Sequence, residues 1–319
     1  MRVSEICLVT GCAGFLGSHL SERLLSLGHT VVGVDSYTDQ YYRYSRVAKE
    51  ENVQRLKELS GFEFVEADLT RVEPVSLMDG VTVVFHCAGQ VGARVSWGRD
   101  FAAYTRNNIL ATQLLLEASR QVSAFVLAST LHVYGNASGP CSEDALPSPL
   151  SPYGVSRLAA ENLARCYSEN YRVPAVALRF GTMYGPRQRP DMLFHRLIRS
   201  SVDAQPFELF GDGSQQRDFL YVGDAVDACI RAMEVGGRGE VYNIGSGETK
   251  SLREAIDVLV PLLAGSTPRM RQLQPVPGDL ACTWSSISRA GEKLGWTPKT
   301  TLQEGLRAQV DAGALPAVE

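Results

Sequence analysis

The chain has 319 residues, 45% of them hydrophobic, and a formal net charge of −4. This length accommodates one large α/β domain and a smaller one, with a core that needs no disulfides. The near-neutral charge excludes the broad basic field that holds nucleic acid or an anionic membrane, so a phosphate ligand must be bound by local cations. We therefore expect no nucleic-acid partner.

No export or membrane signal is recognisable in the sequence. The start lacks a basic segment followed by a long apolar run, and the most apolar later stretch, 255–263, contains Asp257 and Pro261. That stretch is shorter than the about 20 residues that cross a bilayer. The seven cysteines are odd in number and form no Cys-x-x-Cys pair, which indicates neither a disulfide framework nor a metal site. A cytoplasmic protein without a membrane partner or a metal is expected.

Apolar, β-rich runs alternate with helical patterns through the first half of the chain. Because these runs are apolar without alternation, both faces of each strand must be covered, as in a parallel sheet flanked by helices. The first half is therefore predicted to be a doubly wound Rossmann sheet of the α/β class. The predicted strands are 6–9, 30–34, 62–67, 81–87, 124–129 and 175–180.

A glycine-rich turn follows the first predicted strand. Gly11, Gly14 and Gly17 lead into an amphipathic helix, where glycines let the backbone approach a pyrophosphate and the helix start offers unpaired N–H groups. Asp35 ends the second strand, where its carboxylate can accept hydrogen bonds from an adenosine ribose and repel a 2'-phosphate. The pattern predicts NAD rather than NADP. The other cofactor-binding candidates are Phe15, Leu16, Asp68, Leu69 and Ala88, with Asp68 also suited to capping its strand end.

The βαβ rhythm ends after Phe180, where the stretch GTMYGPRQRP begins. We place an NAD-binding domain at 1–180 and a smaller C-terminal substrate-binding lobe at 181–319. A helix at 222–234 and a strand at 241–244 are predicted to return, within 222–248, to the first domain.

Polar side chains gather at the end of the fifth predicted strand. Ser129 and Thr130 end that strand, where open α/β sheets bind their ligands. In SPYGVSR, Tyr153 and Arg157 are four residues apart on a predicted helix and therefore share one face. A candidate reaction centre thus involves the strand end and this helix.

At this point the chain resembles the extended short-chain dehydrogenase/reductase family, and within it the nucleotide-sugar epimerases and dehydratases. The resemblance rests on ordered blocks along nearly the whole chain: TGCAGFLGSHL, HCAGQVGARVSWG, NNILATQLLLEA, ASTLHVYG, SPYGVSR, LRFGTMYGPRQRPDM, FGDGSQQRDFLYVGD and VYNIGSGE. It implies a nucleotide-diphosphate sugar as substrate, NAD as cofactor and transient oxidation of the sugar 4-hydroxyl.

The resemblance also implies roles for the residues at the predicted reaction centre. The tyrosine that matches Tyr153 takes the hydroxyl proton, and the hydroxyl that matches Thr130 shares the proton network. A phenol of pKa about 10 must lose about 3 units, or about 4 kcal/mol, to act as a base near neutrality, and one cation at about 4 Å can supply that. The family carries lysine as this cation, whereas this chain has Arg157, whose charge is spread over a planar fork. We expect catalytic activity to survive, at a reduced rate.

The reaction that follows oxidation is less clearly indicated. In related 4,6-dehydratases an Asp and a Glu follow the threonine; here Leu131 and His132 follow Thr130. A histidine of reference pKa about 6.5 is a competent base at neutral pH, so we expect His132 to remove the carbon-5 proton and the 6-hydroxyl to leave as water. If the hydride then returns to carbon 4, the product is a 5,6-unsaturated sugar nucleotide, as formed by the UDP-N-acetylglucosamine 5,6-dehydratase that the family contributes to tunicamycin antibiotic biosynthesis. His132 equally fits a strand-end histidine that points away from substrate.

Arginines in the second lobe suit a diphosphate, because guanidinium forks bind phosphate oxygens in pairs. Arg187, Arg189, Arg196 and Arg217 lie in blocks that close over the nucleotide in relatives, and Arg217 matches the family's phosphate-binding arginine best. Arg189 and Arg196 also fit structural roles. The block around Thr182 resembles the branch that acts on UDP-glucuronate, which predicts UDP as the nucleotide. The substrate-binding candidates are Gln90, Arg94, Ser129, Thr130, Thr182, Arg189 and Arg217.

Three functions remain open, in this order: a dehydratase, a UDP-sugar 4-epimerase, and a non-catalytic NAD-dependent sensor or scaffold. The predicted helices 103–119 and 153–167 carry apolar residues beyond what the sheet should cover, and relatives pair these helices between subunits. A homodimer is therefore expected.

Overall fold

The computed structural model describes residues 4–38, 46–203, 205–263 and 268–313. Its strands, in chain order, are β1 (Ile6–Thr10), β2 (Thr30–Asp35), β3 (Phe62–Glu66), β4 (Val83–His86), β5 (Ala124–Thr130), β6 (Ala175–Phe180), β7 (Thr182–Tyr184), β8 (Phe207–Phe210), β9 (Gln216–Arg217), β10 (Phe219–Tyr221), β11 (Val241–Ile244), β12 (Lys250–Ser251) and β13 (Met270–Leu273). Its α-helices are α1 (Phe15–Ser26), α2 (Arg46–Lys57), α3 (Phe101–Tyr104), α4 (Ala111–Ala118), α5 (Pro152–Tyr171), α6 (Leu193–Val202), α7 (Val222–Val235), α8 (Leu252–Leu259) and α9 (Leu302–Asp311).

Seven parallel strands form the central sheet, in the order β11-β6-β5-β4-β1-β2-β3. The α/β fold with a doubly wound parallel sheet is thus confirmed, and each of the six predicted strands is present. β4 is shorter than predicted, at 83–86 rather than 81–87. The chain reverses its direction of travel between β1 and β4, so the crevice for a ligand opens at the carboxyl ends of these strands.

Each face of the sheet is covered by helices and has its own hydrophobic core. On one face α1 packs against α7, with Leu20, Leu24 and Cys229 buried between them and the strands. On the other face α4 and α5 pack together and bury Leu115 and Ala160. The absence of polar alternation in the strand sequences follows from this double coverage.

The C-terminal part of the chain contributes to the sheet and also builds a separate core. β11 adds the seventh strand beside β6, in register Val241↔Ala177. A third buried cluster forms away from the sheet and includes Tyr184, Phe194, Phe207, Leu259 and Leu306. The division into a domain at 1–180 and a lobe at 181–319 stays a prediction.

The predicted helix 103–119 is not one regular α-helix. A π-helical segment, Thr105–Leu110, separates α3 from α4. The side chain of Asn108 in this segment donates to the Gln90 carbonyl and the Ser156 hydroxyl and accepts from the Gln90 N–H, at 2.9, 2.8 and 2.7 Å. These bonds join the loop after β4 to α5. None of the helices in the described ranges is long and apolar enough to span a membrane.

Candidate active site

A cleft of about 1180 Å³ opens at the carboxyl ends of the sheet strands, between the sheet and the C-terminal elements. All of the predicted site residues except Gly17 and Arg187 line this cleft. It extends from the turn after β1, past the ends of β4 and β5, to β8 and the 278–283 segment. One cleft therefore contains both the predicted cofactor residues and the predicted substrate residues.

The turn at the start of α1 has the shape that a pyrophosphate requires. A side chain at Gly17 would bring its Cβ within 2.1 Å of the Gly11 carbonyl oxygen, so only glycine lets the helix pack onto the turn. α1 has no acidic residue in its first turn, and Gly14 at its N-cap provides no side-chain acceptor. The N–H groups of this turn remain available to an anion, and the helix dipole favours one. The described residues fit NAD here.

The acidic residues predicted at the adenosine end are each held by neighbours. Asp35 accepts a hydrogen bond from the Tyr37 N–H at 2.8 Å, and Lys49 Nζ lies 3.4 Å from the same oxygen. Asp68 accepts from the N–H and the hydroxyl of Thr70, at 2.9 and 2.7 Å. Both carboxylates still line the cleft. Lys49 is a cleft residue that the sequence analysis missed, because α2 shows no motif that marks it.

The end of β5 and the start of α5 bring the predicted catalytic residues together. α5 begins after Ser151, whose hydroxyl accepts from the Gly154 N–H at 3.1 Å, and Pro152 occupies its first turn. This cap fixes Tyr153 one residue inside the helix. The Tyr153 ring packs edge-on against His132, with ring centroids 5.6 Å apart. Thr130 lies in the same cleft at the end of β5.

Arg157 lies one helical turn beyond Tyr153 and is 4% exposed. Its Cζ is 5.8 Å from the centroid of the Tyr153 ring, and its Nη1 donates to the Ala128 carbonyl at 3.2 Å. Its Nε is buried without a hydrogen-bond partner, and within the described part of the chain it forms no ion pair. A buried cation without a counter-ion is costly, and because Arg157 lines the cleft its charge is available to a bound ligand.

His132 is set in an environment that weakens it as a base. Burial, followed by repulsion from Arg217, lowers the pKa of His132 to about 4, whereas the sequence-based expectation used a reference value near 6.5. Its backbone N–H donates to the Thr130 hydroxyl at 3.2 Å, and its ring Nδ1 is buried without a partner. The imidazole is therefore neutral at physiological pH.

Ser129 contributes to the support beneath the strand end rather than offering its hydroxyl to the cleft. That hydroxyl donates to Glu161, which forms a buried ion pair with Arg179 at 2.7 Å. Arg179 in turn donates to the Tyr134 hydroxyl at 2.7 Å. The sequence analysis missed this network because its members lie in different elements and form no linear motif.

The arginines at the opposite end of the cleft are paired with carboxylates. Arg94 and Arg217 both bind Asp279, at 2.8 and 2.6 Å, and Arg189 forms a two-pronged pair with Asp191, at 2.9 and 2.7 Å. Arg217 and Arg94 come from segments far apart in sequence, so Asp279 joins two walls of the cleft. Asp279 is a further residue that the sequence analysis did not find.

The remaining predicted contacts fall into two groups. Arg196 lines the cleft beside the Phe207 and Phe210 rings and donates to the Glu208 carbonyl. Arg187 does not line it: its guanidinium pairs with Glu22 of α1 at 2.6 Å, so its predicted place in the phosphate-binding cluster is wrong. The cleft-lining positions Gln90 and Thr182 are fixed through their backbones, by Asn108 and Asp218 respectively.

Taken together, a parallel sheet with a pyrophosphate turn, a tyrosine and a threonine at the adjacent strand end, and an arginine-rich far wall are the features of an NAD-dependent enzyme acting on a nucleotide sugar. The comparison with known proteins agrees. The chain belongs to the NAD dependent epimerase/dehydratase family, whose model matches residues 7–245. It is therefore an enzyme of the NAD-dependent nucleotide-sugar epimerase and dehydratase type.

Similar proteins extend over almost the full length of the chain. A Bacillus subtilis protein described as an uncharacterized UDP-glucose epimerase is 41% identical, covering 95% of this chain and 96% of its own. The UDP-glucuronate 4-epimerase of Thermodesulfobacterium geofontis is 34% identical, covering 95% and 94%. The solved UDP-glucuronic acid 4-epimerase of Bacillus cereus, in complex with UDP-glucuronic acid and NAD, is 42% identical, with a TM-score of 0.92 and coverage of 96% and 98%.

Proposed function

We propose that the protein is a UDP-sugar 4-epimerase, with UDP-glucuronate as the first substrate to test. The observation that carries the proposal is the arrangement at the end of β5. Thr130 and Tyr153 line the cleft there, and burial lowers the pKa of His132 to about 4. The similarity to UDP-glucuronate 4-epimerases over nearly the whole chain supports the same reaction. An epimerase needs one proton-transfer pair and no further base.

The residues of the cleft have distinct roles in this reaction. NAD bound in this cleft would supply the acceptor, and later the donor, of a hydride at carbon 4. The phenolate of Tyr153 takes the proton of the 4-hydroxyl and returns it to the new hydroxyl after the keto sugar has turned over. The Thr130 hydroxyl shares that proton, and the Arg157 guanidinium stabilises the phenolate. The start of α1 and Arg157 hold the cofactor.

In the proposed reaction the sugar turns over within the cleft, whose volume is about 1180 Å³. Epimerisation requires that the keto sugar present its opposite face, while the diphosphate remains bound. Arg94 and Arg217 would bind that diphosphate. To do so, their guanidinium groups would exchange the Asp279 carboxylate for phosphate oxygens. Arg189 and Asp191 form the wall beyond Thr182, where the substituent at carbon 5 would lie.

A second candidate is the 5,6-dehydratase acting on UDP-N-acetylglucosamine. One observation favours it: the Nδ1 atom of His132 is buried without a partner in the wall of the cleft. However, a general base works best when its pKa is near the working pH, and burial moves the pKa of His132 well below it. This places dehydration second.

One incubation separates the two reactions. The protein is mixed with NAD and, in turn, UDP-glucuronate, UDP-glucose and UDP-N-acetylglucosamine in heavy water, and the products are followed by mass and proton spectra. The matched control is Tyr153→Phe, which removes only the phenol oxygen. A 4-epimer of unchanged mass without deuterium at carbon 5 is the expected product.

Loss of one water with new vinyl signals would replace the epimerase proposal with dehydration. His132→Ala then decides the role of that residue, since dehydration that persists undiminished excludes it as the base. Failure to turn over any of the three substrates in the presence of NAD would contradict both reactions.

We also propose that the protein is a homodimer formed through α5 and the segment from α3 to α4. Leu110 and Val155, on these two elements, are 44% and 47% exposed, although both are large apolar side chains. Light scattering after size exclusion should give twice the chain mass of 34.8 kDa. A monomeric mass at micromolar concentration would contradict the dimer.

A further inference from the structure

Gly89, in the loop after β4, lies against the guanidinium of Arg157. A methyl group built on Gly89 would place its Cβ 2.4 Å from Arg157 Nη2 and 2.8 Å from Arg157 Cζ. It would also lie 2.7 Å from Asn108 Oδ1. Non-bonded carbon and nitrogen atoms do not approach this closely, so the space that a side chain would occupy is filled by the guanidinium.

Arg157 cannot easily yield that space. It is 4% exposed, its Nη1 is bonded to the Ala128 carbonyl, and its Cζ packs 5.8 Å from the Tyr153 ring centroid. A displaced guanidinium would therefore lose the Ala128 bond or move relative to the Tyr153 phenol. Its planar fork needs more width than the single ammonium of a lysine, which could reach the same region without extending towards Gly89.

We propose that Gly89 is a positioning residue for Arg157, and that the two form a matched pair. The missing side chain at position 89 provides the volume that the fork occupies, which keeps the positive charge beside Tyr153 and directed into the cofactor end of the cleft. The inference depends on the proposed function only for the role of Arg157 towards Tyr153. The packing relation between Gly89 and Arg157 is independent of which sugar is bound.

The proposal predicts strong coupling between substitutions at the two positions. Gly89→Ala in the natural chain should weaken NAD binding about tenfold and lower kcat about 100-fold, because the fork is displaced from its place beside Tyr153. In an Arg157→Lys background the same Gly89→Ala change should cost at most about a fifth as much in NAD affinity, because no fork occupies the space.

The test is a cycle of four proteins: the natural chain, Gly89→Ala, Arg157→Lys and the double variant. NAD affinity is measured by calorimetry, the melting temperature by circular dichroism, and kcat with UDP-glucuronate as substrate. Gly139→Ala is the matched control, since a Cβ at Gly139 meets no atom within 4 Å. It should change none of the three quantities.

The cycle cancels the other costs of an alanine at position 89. Gly89 has φ +157°, and Asn108 is held by its own hydrogen bonds, so both resist a side chain. These costs are the same whether position 157 is arginine or lysine. A Gly89→Ala penalty in NAD affinity that is equal in the two backgrounds, or negligible in both, would overturn the proposal.

A variant that fails to fold still tests the matched pair. If Gly89→Ala is unfolded, a folded double variant supports the matched pair and an unfolded double variant refutes it. NAD affinity and melting temperature are measured without any sugar nucleotide. Failure to find an epimerase substrate would therefore contradict the proposed function while leaving the coupling measurement intact.

Discussion

The arginines at the two ends of the cleft differ in whether a carboxylate pairs with them. At the cofactor end, Arg157 is buried and forms no ion pair with any residue that the structure describes. At the sugar-nucleotide end, Arg94 and Arg217 share the carboxylate of Asp279. The arginine beside Tyr153 thus has no counter-ion among the described residues, whereas the two arginines at the opposite end share one.

The difference reflects what each end must do during turnover. Under the proposed function, the cofactor end would keep NAD through the reaction, so its cation can be fixed once, by the Ala128 carbonyl and by packing against Gly89. The sugar-nucleotide end would bind and release a diphosphate in every cycle, and two guanidiniums left unpaired between cycles would repel each other. Asp279 neutralises Arg94 and Arg217, and we propose that a diphosphate takes its place.

The largest effect is expected from removing the Tyr153 hydroxyl, which lies between the two ends of the cleft. Tyr153→Phe should reduce kcat by about 10²- to 10⁴-fold, because the proton of the sugar hydroxyl has no acceptor, while NAD and UDP still bind at their own ends. Stopped-flow or product analysis gives kcat, and calorimetry gives both affinities. The matched control is Tyr167→Phe on the same helix, whose hydroxyl bonds Gln113 and Glu117 at the surface.

Tyr167→Phe should keep kcat within about twofold, as expected for a substitution away from the cleft. If Tyr153→Phe retains more than a tenth of the natural kcat, the proton acceptor lies elsewhere and the reaction centre assigned to α5 is wrong.

The contrast between the two ends was only partly predictable from the sequence. The sheet, the pyrophosphate turn and the pairing of Tyr153 with Arg157 follow from local patterns, namely continuous apolar runs, glycine spacing and a four-residue helical interval. Asp279 has no such pattern, because its importance arises from two arginines more than sixty residues away in sequence. The prediction for Arg187 was wrong because its sequence motif suggests a phosphate contact, whereas in the folded chain its guanidinium pairs with Glu22.

His132 shows a further limit of reasoning from sequence. Its identity and position at the strand end are readable, but its basicity depends on burial and on the distance to Arg217, which only the folded chain determines. The same residue type therefore predicted a base where the structure provides a neutral, weakly basic imidazole.

A smaller effect is expected from Asp279→Asn, which removes the counter-ion of the sugar-nucleotide end. Arg217 is 7% exposed, so the loss of its partner should lower the free energy of unfolding by about 2 kcal/mol. Added UDP should then raise the melting temperature more in this variant than in the natural chain, because its diphosphate replaces the missing charge. Thermal melts with and without UDP measure both effects.

Asp257→Asn is the control, since Asp257 is exposed on α8 and does not line the cleft. It should leave both the stability and the UDP response within error. An Asp279→Asn variant as stable as the natural chain would show that the arginines need no counter-ion, and the comparison of the two ends would fail.

The smallest expected effect is the influence of the Arg157 charge on the pKa of His86. Burial, and secondarily repulsion from Arg157, lowers the pKa of His86 to about 3. His86 is held between the hydroxyls of Thr10 and Thr112, at 2.8 and 2.9 Å. Below pH 6.5 this histidine is protonated in the unfolded chain but stays neutral in the folded chain. Its contribution to the free energy of unfolding is therefore fully present above pH 6.5 and is lost as the pH falls towards about 3.

Each pH unit in that window should cost about 1.4 kcal/mol for this histidine. Arg157→Met removes the repulsive part alone, so the pKa of His86 should rise by a fraction of a unit, and the loss of stability should end at a higher pH. Urea denaturation between pH 7 and pH 3, together with the NMR titration of the His86 ring over the same range, follows both quantities. A pKa of His86 that is identical in the two proteins would mean that the Arg157 charge is screened within the folded chain, and the cofactor end would then hold no uncompensated cation to contrast with the Asp279 pair.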